Sequence, residues 1–228
     1  MLSPPNTKPA ISIKSALPIY LSLCSSYVMY QLILASESPR RRQLLQTAGF
    51  VFDVHPVKVS ETPDKNLNID EQILDIAGRK AKAAFSELKS ASHKNFLLLT
   101  ADTMVVYHTQ TLGKPQNTQE AYEFLKLLSG KTHEVKTGLC LVESLAGQQV
   151  SHIETSRVIF RDLSDDEIWT YIQSGEPMDK AGAYAIQGLG RKFVKEFIGD
   201  YDNVVGLPVK AFENMLAKMK WSVERVGK

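Results

Sequence analysis

Apolar and polar positions alternate along the chain with two different periods. Residues 31–36 (Gln-Leu-Ile-Leu-Ala-Ser) form a short apolar run that reads as a buried strand. Ser38 and Pro39 then suit the N-cap and first position of a helix, with Leu44, Leu45 and Ala48 on one face and Gly49 at its end. Residues 50–60 read as extended. Over 69–89 the period becomes helical, with Ile73, Ile76, Ala77, Lys80, Ala84 and Leu88 along one stripe. A second apolar run, Phe96 to Thr100, reads as a strand continuing through Ala101-Asp102-Thr103 to Val106.

Beyond the Gly113-Lys114-Pro115 turn, Asn117 or Thr118 caps a helix reaching Leu128. Residues 133–143 and 149–160 alternate and are rich in Val, Ile and Thr, which predicts a long hairpin turning near Ala146-Gly147. Ser164 to Glu167 is a capping box ahead of a helix to Gln173. Residues 174–190 read as a glycine-containing loop region, 192–198 as a strand, and Pro208 onward as a final helix. The pattern is that of a mixed α/β protein with no repeat and no internal linker.

The first thirty residues differ. Pro4, Pro5, Pro9 and Pro18 disfavour regular structure, and no charge occurs from Ser15 to Ser36. That stretch resembles a signal peptide or a marginal membrane span. Pro18, several serines and Gln31 dilute it, however, its last part belongs to the first strand, and Met29 stands just before that strand. Residues 1–29 are therefore expected to be an extension without regular structure, with a targeting peptide or membrane anchor as alternatives. Residues 30–221 form the folded domain, and a cytoplasmic location is expected.

The composition, 43% apolar over 228 residues, excludes a disordered chain and a disulfide mini-protein. With 27 Lys+Arg against 25 Asp+Glu the net charge is +2, so no global cationic field favours nucleic acid and any anion must be held by a local cluster. Cys24 and Cys140 lie far apart and read as reduced hydrophobes. His55, His93, His108, His133 and His152 are scattered, which argues against zinc.

Three segments carry candidate chemistry. In Leu34-Ala-Ser36-Glu-Ser38-Pro39-Arg40-Arg41-Arg42 a strand runs through a serine loop into a helix start, a natural anion-binding arrangement. Three arginines there are unfavourable beside the positive end of the helix unless an anion binds. Residues 100° apart cannot all face one ligand, so two of the three are expected to do so. In Thr100-Ala101-Asp102-Thr103 an acid ends an apolar strand and needs a cation, either a metal or a lysine such as Lys114. In Asp179 to Gly190, small residues permit close backbone approach, while Tyr184 offers an aromatic face and Gln187 an amide suited to a pyrimidine edge. Ser129-Gly130-Lys131-Thr132 imitates a phosphate-binding loop, but Leu125 stands where its first glycine belongs. Gly188-Leu-Gly190 lacks the third glycine of a dinucleotide fingerprint.

Taken together, the chain resembles the Maf family of nucleoside triphosphate pyrophosphatases. The motifs are Leu34-Ala-Ser-Glu-Ser-Pro-Arg-Arg41, Arg79-Lys-Ala81, Ala101-Asp-Thr103, Gly113-Lys-Pro115, Leu128-Ser-Gly-Lys-Thr-His133, Asp179-Lys-Ala-Gly-Ala-Tyr-Ala-Ile-Gln-Gly188 and Asn203-Val-Val-Gly-Leu-Pro208. The Gln187 version resembles the branch acting on dTTP and UTP. The resemblance implies an elongated mixed sheet flanked by helices, with two lobes around a deep cleft, as in inosine triphosphate pyrophosphatase-like folds. It implies hydrolysis to a monophosphate and pyrophosphate with Mg²⁺ or Mn²⁺. By motif position Asp102 is the proton acceptor, and Arg40, Thr103 and Gln187 are linked to substrate choice. Ser36, Arg41, Lys80 and Lys114 match positions that contact the triphosphate, and Glu61, with Asp102, matches an acidic metal-binding position. A homodimer is the family-level expectation for partners, with no nucleic acid or membrane. The alternatives are a pyrophosphatase for other modified nucleotides and a non-catalytic nucleotide- or nucleic-acid-binding regulator of cell division. Gly78 sits inside a helix where another residue would be better tolerated, by up to about 1 kcal/mol.

Overall fold

A computed structural model of the protein describes residues 28–91 and 95–227; the expectations for the first 27 residues, including Cys24, and for His93 lie outside these. Strands β1 (Met29–Leu34), β2 (Phe52–Val54) and the start of β3 (Phe96–Tyr107) pair in parallel, linked by helices α1 (Pro39–Thr47) and α2 (Ile69–Ala91). The sheet then turns antiparallel. Strand β4 (Gln110–Leu112) folds back on the far end of β3. After helix α3 (Thr118–Leu128), strands β5 (Thr132–Glu143) and β6 (Gln149–Phe160) extend the sheet. Helix α4 (Asp165–Gln173) and a run of 3-10 turns lead to β7 (Val194–Ile198). Helices α5 (Tyr201–Val205) and α6 (Val209–Met219) and strand β8 (Ser222–Val223) finish the fold. The sheet has eight strands in the order β2-β1-β3-β5-β6-β7, with β4 on β3 and β8 on β1. This is the mixed α/β sheet flanked by helices that the sequence implied.

Helix α2 buries Ile73, Ile76, Ala77, Lys80, Ala81 and Ala84, the stripe its periodicity predicts with Ala81 added and Leu88 only half-buried. It covers one face of the sheet, beside Leu98 and Cys140, and α6 covers the other with Phe212 against Leu99 and Leu141. A further cluster fills the second lobe, where Leu125 of α3 and Ile168 of α4 meet Val158 and Phe160. Each large side chain buried in this way contributes roughly 1.5–3 kcal/mol. Gly138 lets α2 settle onto the sheet, because a Cβ there would lie 2.8 Å from Ile73 Cγ2.

Local signals mostly hold. Asn117 Oδ1 caps α3 by accepting from the Glu120 N–H at 2.9 Å, and Ser164 and Glu167 make the capping box of α4. Ser38 takes the N-cap position of α1, but its hydroxyl makes no capping bond; instead its N–H donates to Ser36 Oγ at 3.2 Å. Residues 188–193 form a 3-10 turn, so the last long strand starts at Val194 and not at 192. The short elements β4, α5 and β8 had no clear periodicity. Among the described residues no helix is long and apolar enough to cross a membrane.

One feature of the sheet positions the site. Strand β1 pairs with β3 as far as Leu34 opposite Leu99, and β4 begins only opposite Val105. Between them, residues 100–104 of β3 have β5 on one side and no described strand on the other. Successive residues of a strand point to opposite faces, so Asp102 and Thr103 reach this gap from the two sides of the sheet.

Candidate active site

The gap opens into a cleft of about 790 Å³ lined from both lobes. Arg40 and Arg41 of α1 line it and Arg42 does not, so two of the three arginines face a common space. Ser36, Glu61, Lys80, Asp102, Thr103, Lys114 and Gln187 line the same cleft, which therefore holds every residue to which the family resemblance gave a role.

Lys80 lies at the centre. Its place in the apolar stripe of α2 leaves it 8% exposed, as is Asp102. The ammonium donates to Asp102 Oδ1 at 2.7 Å and lies 2.7 Å from Glu61 Oε1. The cation required by Asp102 is thus Lys80, and Lys114 instead approaches Glu61 Oε2 at 3.5 Å. Burial pushes the Glu61 carboxyl up, but the hydrogen bonds and charges of Lys80 and Lys114 outweigh it and hold it below the usual range. Arg79 holds the loop carrying Glu61, donating to the Thr62 carbonyl at 2.9 Å and to the Ser60 carbonyl.

Arg41 ties the other wall together. Its Nε donates to the Gly206 carbonyl at 2.8 Å, Nη2 to Thr103 Oγ1 at 3.1 Å and Nη1 to Ser36 Oγ at 3.3 Å. Three of its five N–H groups are used, leaving two for a ligand. Gly206, at φ +124°, adopts a backbone that favours glycine. Asn203, buried one turn earlier, anchors α5 by donating to the Val135 carbonyl at 2.9 Å and to Ser156 Oγ at 3.0 Å. Arg40 reaches Asp179 at 3.4 Å. Tyr184 lines the cleft from a buried position where its hydroxyl meets His133 Nε2 at 2.8 Å.

Sequence reasoning did not anticipate the work of Arg79, Gly138, Asp179, Gly206 or His133. Arg79, Asp179, Gly206 and His133 lie inside motifs already noted, but their partners are remote in sequence. Gly138 could only be found from the strand register that sets it opposite Asp102.

Comparison with known proteins shows the family. The Maf-like protein family model matches residues 31–219. The chain belongs to the Maf-like family. A relative from Bdellovibrio bacteriovorus, named dTTP/UTP pyrophosphatase, is 62% identical over 82% of this chain and 97% of its own. Relatives of the same name from Halalkalibacterium halodurans and Caldicellulosiruptor bescii are 47% and 41% identical, over 79% and 86% of this chain and 92% and 98% of theirs. A solved nucleoside-triphosphatase / dITP/XTP pyrophosphatase from Mycobacterium abscessus aligns with 83% of this chain and 94% of its own, at 13% identity and a TM-score of 0.37. All seven Maf motifs noted in the sequence lie inside the family match.

Among the described residues no three His, Cys, Asp or Glu side chains converge as a complete metal cage. Glu61 and Asp102 do converge, since both reach one ammonium at 2.7 Å. Two carboxylates with no histidine or thiolate form a hard oxygen donor set. This fits Mg²⁺ or Mn²⁺, ions commonly held by one or two carboxylates plus phosphate oxygens and water.

Proposed function

We propose that this Maf-like chain hydrolyses dTTP and UTP between the α and β phosphates, releasing the nucleoside monophosphate and pyrophosphate. The observation that carries the reading is the placement of a buried carboxylate, Asp102, in the same cleft as the cationic mouth formed by Arg40, Arg41 and Lys114. The relatives named dTTP/UTP pyrophosphatase support the substrate class.

A triphosphate carries about four negative charges, and Arg40, Arg41, Lys80 and Lys114 offer four positive ones. The two spare N–H groups of Arg41, with the Ser36 hydroxyl and the start of α1, grip phosphate oxygens. Asp102 takes a proton from the attacking water as its oxygen bonds to the α phosphorus. The α phosphorus–oxygen bond to the β phosphate breaks, and pyrophosphate leaves with that electron pair. Lys114, 60% exposed at the cleft mouth, neutralises the departing charge. Glu61 and Asp102 would hold a divalent metal, which supplies charge neutralisation and a more acidic water. Thr103 and Gln187 act on substrate choice, Gln187 by matching donor and acceptor on the pyrimidine edge.

Incubating the protein with Mg²⁺ and a panel of nucleoside triphosphates, with pyrophosphate release as the readout, tests the reading. UTP and dTTP should be turned over ahead of GTP and ATP. No pyrophosphate from any of them would refute it.

A further inference from the structure

We infer that Lys80 is the resident counter-ion of the Glu61–Asp102 pair and keeps a divalent metal out of the site until a nucleoside triphosphate draws the ammonium away. The inference rests on the proposed nucleotide hydrolysis and adds an order of events to it.

The ammonium of Lys80 occupies the point on which the two carboxylates converge, 2.7 Å from an oxygen of each. Those oxygens already share one cation, and the half-exposed Glu61 side chain can close the shorter span that a metal would need. A metal bound there would come within a few ångströms of a buried positive charge, and the two cations would repel at close range in a poorly screened site. Lys114, 3.5 Å from the other Glu61 oxygen, adds to the same barrier. In the nucleotide-free protein the lysine therefore holds the position.

It also has a route out. Lys80 lines the same cleft as Ser36 and Arg41, its four-carbon stem is flexible, and one of its three N–H groups remains unspent. Phosphate oxygens gripped by Arg41 would offer it a new anionic partner. Its departure would free Asp102 Oδ1 to accept a proton and leave two carboxylates needing a cation. The site would thus become competent for metal, and Asp102 available as a base, only when substrate is present. Free metal alone would not load it.

The test uses Mn²⁺ titrated against the nucleotide-free protein, with the free ion followed by its electron paramagnetic resonance signal. Wild-type protein and Lys80→Arg should bind weakly. Lys80→Met and Lys80→Gln should bind more tightly, on the order of tenfold to a hundredfold, the scale on which groups around metal ligands alter affinity. Adding Asp102→Asn to Lys80→Met should abolish the gain. A merely structural lysine would not improve metal binding when neutralised. The inference is overturned if whichever neutral variant folds, as judged by circular dichroism, binds Mn²⁺ no better than wild type. It is overturned equally if Asp102→Asn leaves the gain intact. Pyrophosphate release by the wild type is measured separately, so that a null there refutes the enzymatic reading and a null in the Mn²⁺ titration refutes only the order of events.

Discussion

Replacing Arg41 with lysine keeps the charge and removes the fork. In the structure that fork joins three segments, through the Gly206 carbonyl at 2.8 Å, Thr103 at 3.1 Å and Ser36 at 3.3 Å. Hydrogen bonds to charged groups contribute about 1.5–3 kcal/mol each. The 3.3 Å bond is long and adds little, and a lysine can remake one of the others. The expected net loss is roughly 2–4 kcal/mol. At about 2–4 °C per kcal/mol for a chain of this size, Arg41→Lys should melt roughly 5–15 °C below wild type. The two spare N–H groups that would clasp phosphate are lost with the fork, so KM for UTP should rise about 10- to 100-fold. Thermal unfolding and steady-state pyrophosphate release read both quantities. A variant that melts with the wild type and keeps its KM would show that Arg41 neither ties the wall nor holds the ligand.

Gly78→Ala should stabilise the protein by about 0.5–1 kcal/mol in urea unfolding, because a Cβ there meets nothing within 4 Å and glycine is a poor helix former; a loss of stability would reveal a hidden constraint. Burial pushes His133 down to about 3, while the unfolded chain takes up the proton near 6.5. Its contribution is therefore complete above pH ~6.5 and is lost as pH falls towards 3, by up to about 1.4 kcal/mol per pH unit. His133→Gln, which retains a partner for Tyr184, should flatten unfolding free energies between pH 7 and pH 5, and an unchanged slope would contradict the assignment. Gln187→Ala should narrow the preference for UTP over CTP and GTP, and unaltered relative kcat/KM across the panel would rule out the amide as a reader of the base.

Much of this site was legible because its pieces sit at element boundaries with strong local signals. The strand-to-helix passage at Ser36–Arg42 was readable from Pro39 and the apolar run before it. Asp102 stood out equally as an acid in an apolar run, although it lies within β3 and not at the end of a strand, and opens to the cleft because no described strand pairs there on the side away from β5. The helical stripe placed Lys80 inward among Ile73, Ile76 and Ala77, and a lysine in such a stripe requires a buried anion. What it could not supply was the partner, since Glu61 and Asp102 approach from a loop and from the middle of a twelve-residue strand. The gap in the sheet was likewise invisible, because it depends on where β1 stops and β4 starts along β3. Short elements such as β4 and α5 are held by tertiary contacts, β4 by its pairing with β3 and α5 through Asn203, and have too few residues to show a period. Gly78 was readable as an anomaly, and the structure offers no reason for it.

The most direct test of the account is Asp102→Asn, assayed for UTP turnover and, in parallel, for the rise in melting temperature that UTP produces. The amide keeps the shape of the carboxylate but is a far weaker base, so turnover should fall about 10²- to 10⁴-fold while the nucleotide-induced shift persists. Turnover close to that of the wild type would contradict the claim that Asp102 receives the proton of the attacking water.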